Sequence, residues 1–214
     1  MDKPIGGLKR EYGRGGLSES EAAADPLKQF DQWFDAAVRE NIIEPTAMAL
    51  ATADAAGRPT VRIVLLKGFD HRGFVFYTDY ESRKGKDLAA NPHAGLCFWW
   101  PELERQVRID GKVEKTTEAD SDAYFATRAR ESQIGACLSH QSHAIPNREA
   151  IEHARERVTA EFAARNVPRP QRWGGYRLAP IRYEFWQGRA HRLHDRLEYV
   201  LCESGAWQLR RLSP

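Results

Sequence analysis

The hydrophobic period of the chain changes at Thr46. Ahead of it, Leu27, Phe30, Phe34, Ala37 and Val38 recur at helical spacing behind Asp25-Pro26, an N-cap followed by proline at the first helical position. That pattern predicts an amphipathic helix ending near residue 40. Beyond it, short β-branched and aromatic runs predict strands over residues 48–52, 60–67, 74–78, 95–100 and 105–115, with turn signals at 56–59, 70–73 and 91–92. Ser82 can cap a helix running to about residue 90. Residues 118–128 and 147–165 carry helical periods, the second with Ile151, Ala154, Val158 and Phe162 on one face. A linker at 167–170 precedes strands over 183–187, 196–202 and 206–212, the last two closed as a hairpin by Glu203-Ser204-Gly205. Short strands joined by short turns predict an α+β fold, an antiparallel barrel or sandwich with flanking helices. Residues 1–24, rich in glycine and charge, read as a flexible arm, and residues 25–214 as a single domain.

The chemistry-bearing residues collect at the strand rims. Arg62, Ile63, Val64, Leu65, Leu66 and Lys67 set four aliphatic residues between two cations, which predicts a buried strand with charged ends. Strict alternation puts Arg62 and Lys67 on opposite faces, so they share one ligand only across a bulge or a strand end. Residues 74–78, with Tyr77 and Thr78, run into Ser82-Arg83-Lys84. Cations in the first turn of a helix oppose its dipole unless an anion sits among them. Gln106 and Arg108 share a face while Val107 and Ile109 point to the core, and the Gln amide matches the mixed donor and acceptor edge of a flavin or nucleobase. Such rims fit a barrel holding a phosphorylated ligand. Tyr124 and Arg128 lie four apart on one helix face, and Ser132 extends the stripe if the helix continues; spacing alone favours a Tyr packed over an exposed Arg. Gln141-Ser142 lie in a polar loop, and Trp186 stands near a strand end. The run His191 to Arg196 is the densest polar stretch, and alternation puts Arg192, His194 and Arg196 on one face of an extended segment.

Composition narrows the field. The 214 residues suit one domain with a substantial core. Thirty-two basic against 30 acidic residues leave a net charge of only +2, so no global field recruits nucleic acid or an anionic membrane, and any anion site must be local. Cys97, Cys137 and Cys202 are widely spaced and odd in number, which argues against a disulfide framework and a thiolate metal site. No metal is expected, since no third ligand stands beside His191 and His194. With no apolar leader and no spanning run, a cytoplasmic protein is expected.

Several stretches, each weak alone, together and in order resemble the pyridoxine/pyridoxamine 5′-phosphate oxidase family over nearly the whole chain. They are Arg-Glu-Tyr-Gly-Arg-Gly-Gly-Leu from Arg10, Ala-Asp-Pro-Leu from Ala24, Glu44 to Met48, Arg62 to Lys67, Phe76-Tyr77-Thr78 and Ser82-Arg83-Lys84. They continue with Leu103 to Val107, Ser132 to Ala136, Trp173-Gly174-Gly175, Glu184 to Gly188 and His191 to Arg196. The resemblance implies a split-barrel homodimer with FMN at the subunit interface. It also implies oxidation of pyridoxine or pyridoxamine 5′-phosphate by O2 to pyridoxal 5′-phosphate and H2O2. Carried over by position, Arg62, Ile63, Val64, Leu65, Leu66, Lys67, Tyr77, Thr78, Arg83, Lys84, Gln106, Gln141, Ser142, Trp186 and Arg196 are expected to hold FMN. Lys67, Tyr124, Arg128 and Ser132 are expected at the substrate phosphate. Arg192, Leu193 and His194 are expected at the pyridine ring, with Arg192 and His194 as the catalytic pair. The arm residues Lys9, Arg10, Glu11 and Tyr12 are expected to fold over the substrate, although Lys9 stands where an Arg is commoner. The alternative is a split-barrel flavin reductase or another FMN-binding protein.

Overall fold

The computed structural model describes residues 11–214, so the expectations for Lys9 and Arg10 lie outside it. The described elements are α1 (Pro26–Arg39), β1 (Ala47–Ala53), β2 (Pro59–Leu65), β3 (Gly68–Asp70), β4 (Gly73–Asp79), α2 (Arg83–Ala90), β5 (His93–Trp100) and β6 (Arg105–Lys115). They continue with α3 (Glu118–Thr127), α4 (Arg130–Leu138), α5 (Arg148–Glu161), β7 (Trp173–Gln187), β8 (Asp195–Leu201) and β9 (Trp207–Arg211). The strands form one sheet in the order β2-β1-β5-β6-β7-β4-β3, with β8 paired to β7 and β9 to β8. By contacts the chain divides into two compact units. The first comprises residues up to Ala49 with Leu96–Asp110 and Ile181–Pro214; the second comprises Leu50–Gly95 and Gly111–Pro180. Among the described residues no helix is long and apolar enough to cross a membrane.

In the first unit, Asp25 caps α1 by accepting the Leu27 N–H, with Pro26 where no donor is needed. The helix buries Phe30, Trp33 and Ala37, whereas Val38, expected on the apolar face, is half exposed. Phe30 packs on Phe98 and Trp100, and Trp33 meets Phe185 edge-on while the Arg105 guanidinium covers its face. Val107 and Ile109 are fully buried, as alternation along β6 requires. β8 and β9 form the expected hairpin, turned at Gly205 with φ 82°. Residues 11–24 are irregular but tied down: Leu17 is buried, and Tyr199 donates its hydroxyl to the Ala23 carbonyl at 2.6 Å.

In the second unit, β4 pairs antiparallel with β3 and with the first half of β7, placing Tyr77 opposite Gly175 and Thr78 opposite Gly174. β7 begins ten residues before the strand expected at 183–187. The pair Gly174-Gly175 serves close approach: a Cβ at Gly175 would stand 2.8 Å from Tyr77 Cε1. Phe125, Ile134, Val158, Phe162, Val167 and Trp173 form a core among α3, α4 and α5. α4 was not anticipated. Its C-terminal carbonyls at Ala136 and Cys137, and that of Ser139, accept from Arg172.

Two further expectations change. Arg62 to Lys67 is not a buried strand: β2 ends at Leu65, Val61 and Ile63 are 70% and 66% exposed, and Leu66, beyond the strand, is the buried residue. β2 is the terminal strand of the sheet path, so among the described residues it has a strand neighbour on one side only. The stripe through Tyr124, Arg128 and Ser132 is not one helix face, because Arg128 leaves the helix with φ −72° and ψ 145° before α4 begins.

Candidate functional site

The second unit gathers two polar constellations. In the first, β2 presents Thr60 and Arg62 at the same side of the strand. The Arg62 guanidinium donates to the Leu50 carbonyl at 3.1 Å, to Thr52 Oγ1 at 2.8 Å and to Thr60 Oγ1. Asp87 of α2 accepts from Thr52 at 2.7 Å and Thr60 at 2.8 Å, and lies 3.6 Å from Arg62. Burial lowers the Arg62 pKa; Asp87 opposes that shift and Arg83 adds to it.

Ser82 caps α2 through the Gly85 N–H, and the first turn contains Arg83 and Lys84 but no acid. Lys84 Nζ donates to Thr78 Oγ1 at 3.1 Å and to Gln141 Oε1 at 3.0 Å; Thr78 donates to the same oxygen. Burial lowers the Lys84 pKa, Arg62 lowers it further, and Asp79 pulls it back. Ser142, at φ 69°, accepts the Arg83 N–H at 3.2 Å. Arg83, Asp87 and Ser142 line a cleft of about 540 Å³ together with Arg58 and Lys86. The half-buried Lys84 and the exposed Arg83, at a helix start with no acid in its first turn, suit an anionic group such as a phosphate, although Asp54 and Glu81 also line the cleft.

The second constellation is aromatic. Tyr77 stacks on Tyr124 at 4.0 Å and on Trp173 at 5.4 Å between ring centroids, and the Arg128 guanidinium sits 4.6 Å from the Trp173 ring. One Arg128 nitrogen, Nη1, is buried with no hydrogen-bond partner among the described residues. Burial lowers the Arg128 pKa, partly offset by Tyr124 and Cys137. A buried guanidinium with a donor to spare suits an incoming oxygen anion. Tyr124 and Arg128 therefore lie together beside Trp173, whereas Ser132 is exposed on α4 and Lys67 is exposed with its backbone N–H bonded to Val75.

In the first unit, Tyr12, Trp186 and His194 form an aromatic group. Trp186 and His194 lie 4.6 Å apart, and Tyr12 meets both edge-on at 5.6 Å. His194 Nδ1 accepts the Arg189 N–H at 3.1 Å, which leaves its proton on Nε2. The stretch before it is not extended: Ala190–Arg192 is a 3₁₀ turn with His191 at φ 55° and Arg192 at φ 62°. The turn leaves Arg192 and Leu193 exposed. Arg196 is not available as a third free cation, since it bonds Glu184 at 3.0 Å and the Ser213 carbonyl at 2.8 Å. Arg108, the neighbour of Gln106 on the same strand face, also bonds Glu184, at 3.1 Å. Gln106 is half-buried and Glu11 exposed.

Several participants had no distinct sequence signal. Thr52 and Asp87 reach Arg62 from other elements, and only Thr60, two residues from Arg62, could be found by strand alternation. Glu184 is a lone acid in an apolar run, a pattern that already hints at a cationic partner.

The sheet and helices are those of known structures. PhzG from Burkholderia lata, solved in complex with tetrahydrophenazine-1-carboxylic acid, superposes with a TM-score of 0.86 at 32% identity, covering 91% of this chain and 95% of that one. A pyridoxamine 5′-phosphate oxidase-related, FMN binding protein from Nostoc punctiforme shares the fold at a TM-score of 0.71 and 17% identity, covering 89% and 98%. The molecule is an α+β protein with an antiparallel split-barrel sheet and flanking helices, the class expected from the sequence. Residues 34–161 match the pyridoxamine 5′-phosphate oxidase family, and residues 173–214 match the pyridoxine 5′-phosphate oxidase C-terminal dimerisation region. Pyridoxine/pyridoxamine 5′-phosphate oxidase from Cupriavidus necator is 56% identical over 207 residues, 97% of each chain. The protein of that name from Trichormus variabilis is 49% identical over the full length of both. The chain belongs to the pyridoxamine 5′-phosphate oxidase family, and it is an oxidase.

Proposed function

We propose that this oxidase converts pyridoxine 5′-phosphate or pyridoxamine 5′-phosphate to pyridoxal 5′-phosphate, with FMN as cofactor and O2 as the final acceptor. The alcohol consumes O2 and releases H2O2; the amine also consumes water and releases ammonia. The observation that carries this reading is a pair of cation sites: Lys84, half-buried and bonded to Thr78 and Gln141, and Arg128, against the Trp173 ring with one buried nitrogen that has no partner among the described residues.

FMN fits the residues present. Lys84, Arg83 and Arg62 would face its phosphate, with Thr78, Gln141 and Ser142 completing the hydrogen bonds. When bound, FMN supplies the two-electron redox chemistry, for which this chain has no group of its own. Arg128 and Tyr124 would clamp the substrate phosphate, fixing the distance of the reacting carbon. His194, protonated at Nε2, is a hydrogen-bond donor toward a substrate oxygen. Arg192, exposed and held in a left-handed turn, can bring a cation to the nitrogen or oxygen atoms of the substituted pyridine ring. Two copies of the chain, joined through the C-terminal region, would share the cofactor sites.

The test is product formation by purified protein supplied with FMN in air. Pyridoxal 5′-phosphate and peroxide should appear in equal amounts from pyridoxine 5′-phosphate and vanish without FMN. Bound flavin with no product from either phosphate would favour the reductase reading.

A further inference from the structure

Glu104 occupies the turn between β5 and β6 at 3% exposure and with φ 55°, a left-handed conformation that non-glycine residues adopt under strain. Its two ends make different attachments. The carboxylate Oε2 accepts the backbone N–H of Gly13 at 2.8 Å and of Arg14 at 3.0 Å. The carbonyl accepts the Gly188 N–H at 2.8 Å and the Gln187 side-chain amide at 3.3 Å. Gly13 follows Tyr12 in the chain, and Gly188 forms the floor beneath the Tyr12 ring, where an added Cβ would stand 2.7 Å from Tyr12 Cγ. One buried residue thus fixes both the segment that carries Tyr12 and the surface on which the ring rests.

The ring so placed lies edge-on to Trp186 and His194. A second link runs the same way: Arg189 donates its guanidinium to the Gly15 carbonyl at 3.0 Å and its backbone N–H to His194 Nδ1. Downstream, the segment is held without Glu104. Asp195 accepts the Leu17 N–H at 3.0 Å, and Arg211 bonds both carboxylate oxygens of Glu19 and the Leu17 carbonyl. Loss of the Glu104 carboxylate therefore loosens residues 11–14, where the exposed Arg14–Glu40 pair remains, while Gly15, tied to Arg189, and residues 17–19 stay attached.

We propose that Glu104 is a positioning residue for the oxidase reaction: it sets Tyr12 against His194 and thereby governs how closely the substrate is enclosed. The functional part rests on the reading above. The positioning part is testable without substrate, by amide hydrogen exchange on the full chain.

In E104A, exchange over residues 11–14 should rise about tenfold or more, the equivalent of one charge-assisted hydrogen bond. KM for pyridoxine 5′-phosphate should rise by a similar factor, with a smaller fall in kcat. E104Q, which keeps an oxygen in place, should restore most of both. In a Y12A background, E104A should change KM no further, because its effect passes through Tyr12. Unchanged exchange in E104A overturns the proposal whatever the turnover, and so does an undiminished KM effect in the Y12A background. If even the unaltered protein makes no product, the oxidase reading falls and the functional part with it; loosened exchange would then still support the positioning part.

Discussion

Lys84 shows how a single side chain can be placed for a ligand at a cost to the free protein. Burial lowers its pKa, Arg62 adds to the shift and Asp79 opposes it. Between this lowered value and the ordinary lysine value, the unfolded chain binds more protons than the folded one, so the stability of the FMN-free protein rises with pH across that window. An anion beside the ammonium reverses the sign by restoring the charged form. K84M should therefore raise the melting temperature of the FMN-free protein at neutral pH and weaken FMN binding by about tenfold or more, the loss of one charge-assisted hydrogen bond. Scanning fluorimetry with and without FMN reads both; a lower melting temperature with unchanged affinity would make Lys84 a structural tie to Thr78 and Gln141. Arg192 is the complementary case, because its side chain is exposed and has no such burial to overcome. R192A should lower kcat by about a hundredfold, the scale of a lost orienting contact, while leaving the FMN content of the purified protein unchanged. Equal loss of flavin and turnover would move Arg192 into the cofactor site. The cations at the start of α2 could be read from the sequence because they contradict a local rule. Asp87, Thr52 and Glu104 could not, since each acts through tertiary contacts that no spacing encodes.

At the scale of elements, α2 depends on Ser82 more than a short helix usually depends on its cap. Ser82 Oγ accepts the Gly85 N–H at 3.3 Å, donates to the Asp79 carbonyl at 2.6 Å and lies 3.4 Å from Lys84 Nζ, all in a fully buried position. S82A should cost about 1 kcal/mol through the cap, a fall of about 2–4 °C in melting temperature for a chain of this size. FMN affinity should fall with it, because the turn that holds Arg83 and Lys84 loses its anchor. Normal FMN affinity at a reduced melting temperature would separate the cap from the site. Most elements declared themselves by period and punctuation: α1 by Asp25-Pro26, β6 by alternation and the final hairpin by Gly205. The failures have physical causes. β7 starts earlier than the strand expected at 183–187 because its first residues include Gly174 and Gly175, which leave room for Tyr80 and Tyr77 and carry no alternating pattern. α4 went unseen because it lacks a side-chain cap, and its last carbonyls are satisfied by Arg172, 34 or more residues away in sequence from the helix that it closes.

For the whole molecule, the unanswered feature of the single chain is β2. It is the end strand of the sheet path and exposes Val61 and Ile63, a combination that in an isolated protein invites edge-to-edge aggregation. Arg62 between them is turned inward to Thr52, Thr60 and Asp87, so the strand carries site residues on one face and uncovered aliphatic residues on the other. The apolar run Ile63 to Leu66 reads as a buried strand, but in the single chain Val61 and Ile63 are exposed; a second copy of the chain is the partner that would cover them. The match of residues 173–214 to a dimerisation region independently favours such a copy. Sedimentation at micromolar concentration should therefore give a dimer. Placing glutamate at both Val61 and Ile63 should shift it to single chains and release FMN, since charges opposed across a dimer contact are destabilising. A double variant that remains dimeric with full flavin would leave the C-terminal region as the whole of the contact, and would require another explanation for the exposed edge. If instead the unaltered protein sediments as a single chain, the shared cofactor site falls, and Arg62 and Lys84 must bind FMN from one chain alone.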